Sequence, residues 1–147
     1  MTHAKRAHTH CILRNDPRLI AGVGAVISHA AERAGLVQWD QTEFANATEQ
    51  ACRETLASLA KIGISGSRLQ LAVEQYTGRV EVTIEPTAER NGVTRSSEGR
   101  AAAHAVEGVC RTLERKGVDR VLCETLPHSF RMKLIKYSSG PKSAASD

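Results

Sequence analysis

At 147 residues the chain has room for one domain with one hydrophobic core, and with aromatics at only 3% that core must be built from Leu, Val, Ile and Ala. A net charge of +4, with Arg and Lys spread out apart from Lys5-Arg6 and the stretch from Arg131 to Lys142, lacks the concentrated basic stripe and stacking aromatics of a nucleic-acid binder. No apolar h-region opens the sequence and no window nears the ~18 apolar residues of a membrane span, so a cytoplasmic protein without membrane contact is expected.

In chain order, "HTHCILR" over residues 8–14 reads as an opening strand. "NDP" follows, with Asp16 a candidate N-cap and Pro17 at the first helical position. Leu19, Ile20, Val23, Val26, Ile27, Ala30 and Ala34 then recur every three or four residues, the stripe of an amphipathic helix that Gly35 ends. A second helix is expected from Asp40, with Glu43 completing an Asp form of the capping box. Phe44, Thr48, Cys52, Thr55, Leu56 and Leu59 mark its apolar side, and Gly63 and Gly66 close it. Trp39, just before that cap, reads as a staple packing onto the helix start.

"RLQLAVEQY" and "RVEVTIE" flank Thr77-Gly78 and predict an antiparallel hairpin, the second strand alternating Val80, Val82 and Ile84 with Glu81, Thr83 and Glu85. Pro86 is expected to end that strand, and residues 86–100, nearly devoid of apolar side chains, to form an exposed loop. Ala103, Val106, Val109, Cys110 and Leu113 predict a third helix ending at Gly117. "VDRVLCETL" and "FRMKLIKY", joined around Pro127-His128, predict a second hairpin, and the final "SSGPKSAASD" a frayed tail. Hairpins with all three helices on one face give a two-layer α+β sandwich with a mixed, mostly antiparallel sheet.

Chemistry-bearing residues are sparse. Cys11, Cys52, Cys110 and Cys123 form no CxxC pair and each sits in an apolar run, which reads as four reduced core cysteines. His3, His8, His10 and Cys11 are a candidate metal cluster, since His8 and His10 share one strand face, although terminal histidines are more often unstructured. His29, His104 and His128 are isolated, and no Ser-His-Asp or Cys-His arrangement stands out. Glu49 and Arg53 make an ordinary surface i, i+4 pair, and Gln50 and Glu54 on the same helix also fit a solvated face.

"LIAGVGAVISHAAERAGL", "EFANATEQACRETLASLA", the hairpin that follows and the closing "FRMKLIKY" together resemble the GHKL, or Bergerat, ATP-binding fold over residues 8–137. Within it the likeness is to the anti-sigma-factor and serine-protein-kinase branch of bacterial partner-switching systems. Residues 1–7 and 138–147 would be flexible ends. In that family the second helix carries a Glu resembling a general base and, one turn later, an Asn that ligates magnesium on ATP. The resemblance puts Gln50 at the base position and Glu54 at the metal position. A neutral amide cannot take the proton, whereas Glu54 is an oxygen donor that magnesium accepts but that adds charge beside a triphosphate.

The family's glycine-rich Asp motif falls on "EPTAERNG", leaving Glu85 for the adenine reader and Gly92 for the glycines. Its lid falls on "SSEGR", which offers Gly99 and Arg100 to the phosphates. The resemblance therefore implies a regulatory module with weakened or lost ATP and Mg use. It would bind a sigma factor or an anti-sigma-factor antagonist, with homodimerisation allowed. The alternative it implies is an active serine/threonine kinase that phosphorylates the antagonist.

Overall fold

A computed structural model describes residues 5–63, 67–88, 96–113, 115–126 and 129–139. The chain forms β1 (Lys5–Leu13), α1 (Pro17–Arg33), α2 (Gln38–Lys61), β2 (Ser67–Tyr76), β3 (Arg79–Ala88), α3 (Ser96–Thr112), β4 (Arg120–Leu126) and β5 (Ser129–Tyr137). The strands make one five-stranded sheet in the order β1-β2-β3-β5-β4, every pairing antiparallel. With the helices as the second layer, this is the expected α+β sandwich.

Local chemistry sets the first helix. Asp16 caps α1 by accepting from the Arg18 backbone N–H at 2.9 Å, and Pro17 takes the position that needs no donor. The stripe Ile20, Val23, Ile27, Ala30 and Ala31 is buried, and Gly35 follows the helix at φ 97°. Small residues on this stripe let α1 lie close along α2, and the helical layer covers the inner face of the sheet. There Leu69, Leu71, Val80, Val82, Ile84 and Met132 are fully excluded from water. Each such side chain contributes about 1.5–3 kcal/mol relative to an exposed one. Thr48 and Thr55 join this core from α2 because each hydroxyl bonds the carbonyl four residues back, at 2.9 and 2.7 Å.

Several boundaries differ from the sequence expectation. Helix α2 starts at Gln38 with Val37 as a cap that makes no side-chain bond, so Asp40 is not the cap. Asp40 instead lies in the first turn, accepting from Ser139 Oγ at 2.7 Å and facing Lys136 Nζ at 3.8 Å, which ties the end of β5 to the helix. Trp39 is no staple: 71% of it is exposed. Strand β1 starts at Lys5, within the stretch expected to be flexible.

Strand β3 runs past Pro86 to Ala88. Its pairing with β5 stops at Ile84 while its pairing with β2 continues, so Pro86 sits where one side of the strand needs no donor. Helix α3 begins at Ser96, five residues before the expected start, so strand and helix take up both ends of the predicted 86–100 loop. Among the described residues no helix is long and apolar enough to cross a membrane.

The cysteines divide into two kinds. Cys52 is fully buried and free, and Cys11 is free and partly buried. Cys110 on α3 and Cys123 on the edge strand β4 form a disulfide, which corrects the expectation of four reduced thiols. The sequence hides this pair because the turn between α3 and β4, which folds the two back on each other, carries no cysteine motif.

Trp39 gives a direct check on this packing, because it is the single tryptophan of the chain. Its emission is expected at the wavelength of a water-exposed indole in the native protein and to shift little on unfolding in urea. Trp39→Ala is expected to change the unfolding free energy by no more than about 0.5 kcal/mol, because an exposed side chain leaves no cavity. A blue-shifted native emission would contradict this placement.

Candidate functional site

Helix α2 turns Phe44, Thr48, Cys52, Thr55 and Leu59 inward. The 3.6-residue period then carries Glu43, Asn46, Gln50 and Glu54 round to another side. Gln50 and Glu54 meet there, one turn apart as expected: Gln50 Nε2 donates to Glu54 Oε2. The other end of the same amide accepts from Arg53 Nη1 at 3.3 Å, and Arg53 Nη2 donates to Glu49 Oε1 at 3.0 Å. The amide thus uses its donor on an acid and its acceptor on a base, a role a carboxylate at position 50 could not fill toward Glu54.

Glu49 gives no substitute base. Its carboxylate lies over Gly24 of α1, where an added Cβ would overlap it, and Arg53 holds its other oxygen. The position without a side chain on α1 is what lets that charged group lie at the seam between the two helices.

A cleft of about 250 Å³ opens beside Gln50, lined by Glu43, Asn46, Ala47, Gln50 and Lys116. Lys116 comes from the turn between α3 and β4 and faces Glu43 at 3.9 Å. The volume lies below the roughly 300–1,000 Å³ of pockets that enclose a drug-sized ligand. Asn46 and Lys116 were not singled out in the sequence, and Glu43 only as the second half of a capping box. The only local signal was Gly117, whose backbone at φ 83° brings the turn against the carbonyl of Glu43.

The other sequence-derived site residues fall elsewhere. Glu85 does not join Gln50 and Glu54. Val80, Val82 and Ile84 take the inward phase of β3, so Glu85 points to the open face of the sheet and pairs with Arg131 at 3.3 Å. The next inward position of β3 is Pro86, opposite the buried Leu69. Gly92 lies outside the described residues. Gly99 is in the first turn of α3, and Arg100 follows it with its side chain exposed.

Glu54 is half-buried and tied to Gln50. Its carboxylate is an oxygen donor of the kind magnesium accepts and would repel a bound anion as a like charge. The open face of the sheet carries a separate lattice of charges. Glu81 is held by Arg79 at 2.7 Å and Lys133 at 3.4 Å, and Arg131 bridges Glu85 and Glu124. The basic residues of β5 are therefore neutralised by neighbouring acids, unlike an electrostatic footprint for nucleic acid. Compared with models of protein families and with curated proteins, the chain matches none.

Proposed function

We propose that the chain is a regulatory binding module, a relative of the anti-sigma-factor and serine-kinase branch of the GHKL fold in which ATP use is weakened or lost. The observation that carries this reading is the state of Gln50. The resemblance gives it the general-base position, where a neutral amide cannot accept a proton, and its amide is tied between Arg53 and Glu54. Pro86 in the inward phase at the end of β3, where an adenine-reading carboxylate belongs, supports the same reading.

The module would act by docking a sigma factor or an anti-sigma-factor antagonist, with homodimerisation as a further contact. Two kinds of surface suit docking. The sheet ends in the edge strands β1 and β4, each paired on one side only, and Val37 and Trp39 stand 50% and 71% exposed at the corner between α1 and α2.

Calorimetric titration with Mg-ATP tests the proposal, run beside titration with a sigma factor and an antagonist domain encoded next to this chain. Flat heats with Mg-ATP and binding of one of the two proteins are expected, the latter weakened by Trp39→Ala. Micromolar Mg-ATP binding that Glu54→Ala weakens would overturn the loss of ATP use. It would favour the kinase, in which positioning and charge neutralisation sustain slow phosphoryl transfer without a base.

A further inference from the structure

The open face of the sheet brings His8 and His10 together on β1. Side chains alternate along a strand, so with Leu13 buried against the helices both imidazoles point the other way. Their rings meet edge to face with centroids 4.4 Å apart. The register of β1 on β2 sets Glu74 directly opposite His8, and Glu74 Oε2 lies 3.4 Å from His8 Nδ1. His10 and Glu74 also line a surface hollow of about 310 Å³.

We propose that His8, His10 and Glu74 bind a divalent transition-metal ion of the zinc class. Two imidazoles two residues apart on one strand face, with a carboxylate across the ladder, form a His₂Glu set that leaves a position open to water or an external ligand. Imidazole nitrogen selects zinc, copper or nickel over magnesium and calcium, which prefer oxygen alone. Cys11, which the sequence grouped with these histidines, is directed to the opposite face of β1 and takes no part. Its place is taken by Glu74, which comes from β2 and carries no local signal in the sequence.

As the side chains stand, no three such donors among the described residues converge on one point. Ligation at the about 2.0–2.2 Å of zinc–nitrogen and zinc–oxygen bonds needs rotation of the rings and of the carboxylate into the hollow. Such rotations are open here: His8 has 36% of its side chain exposed, and His10 is exposed at the sheet edge.

Zinc chloride titrated into the full chain, followed by calorimetry, tests the site. One ion per chain is expected, with His8→Ala, His10→Ala and Glu74→Gln each weakening binding about tenfold or more and Cys11→Ser and His3→Ala leaving it unchanged. Because His8 and His10 lie outside the core, the variants are expected to keep the wild-type circular dichroism, and Glu74→Gln keeps the shape of the glutamate. No zinc uptake by the wild type would overturn the proposal. So would uptake that survives in the His8→Ala/His10→Ala double variant, or that is lost on Cys11→Ser or His3→Ala instead.

Discussion

Gly117→Ala is expected to cost about 3 kcal/mol of unfolding free energy, a large share of the roughly 5–15 kcal/mol that holds a domain of this size. Two effects add. Gly117 has φ 83°, and an L side chain in that region costs about 1–2 kcal/mol. The new Cβ would also fall 2.5 Å from the carbonyl oxygen and 2.8 Å from the carbonyl carbon of Glu43. Those atoms belong to the backbone of α2, so relief requires moving the helix or the turn, at about 1–3 kcal/mol for an overpacked contact. Gly78→Ala separates the two effects, since Gly78 has the same φ of 83° but open space where its Cβ would go. Urea unfolding of both variants should show Gly78→Ala costing about 1 kcal/mol and Gly117→Ala clearly more. Equal costs would remove the contact with Glu43 from the explanation.

The same contact positions the cleft. Lys116 precedes Gly117 and faces Glu43, so a turn pushed away from α2 takes the lysine with it and widens the space beside Gln50. The cleft is therefore held by a missing side chain in one element and a carbonyl in another. Nothing in the local pattern of residues 43–50 announces it.

How much was legible in the sequence follows from the range of each interaction. The Asp16 cap, the alternation of Val80, Val82 and Ile84 and most of the α1 stripe are properties of neighbouring residues and appear where the pattern put them, although Leu19 at the stripe's edge is 44% exposed and Val26 only half-buried. The hydrogen bond from Gln50 to Glu54 is equally local, because residues four apart on a helix meet. What failed depended on the tertiary partner. Asp40 looked like a cap but is claimed by Ser139 and Lys136, about a hundred residues away along the chain. Pro86 looked like a strand end, but β5 had already left that side of β3. Glu85 lies on the open face of the sheet, away from Gln50 and Glu54, because a one-residue step along a strand reverses a side chain's direction. The disulfide between Cys110 and Cys123 and the pairing of Glu74 with His8 are long-range in the same sense.

Cys52 is the second position where a large effect is expected, and it depends on pH. Burial in the core pushes its thiol from 9.0 up to about 12, with the nearby Glu49 carboxylate adding to the rise and Arg53 opposing it. A raised folded-state value means that the native protein keeps its proton while the unfolded chain gives it up. The stabilisation is therefore complete below pH 9 and is lost as pH climbs toward 12, at about 1.4 kcal/mol for each pH unit in that window.

Cys52→Ala removes the ionisable group and leaves a small cavity, so it should be less stable than wild type at pH 7 by about 1 kcal/mol. Between pH 9 and 10.5 its disadvantage should shrink and then reverse, because only the wild type carries the growing cost of a thiol held neutral. Every other ionisable group is common to both proteins, so the difference between the two urea-unfolding curves isolates Cys52. A difference that stays constant from pH 7 to 10.5 would mean that water reaches the thiol. In that case α2 is not packed against its neighbours as described, and the side chains it presents on its opposite side, Gln50 and Glu54 among them, lose the rigid support that fixes their geometry.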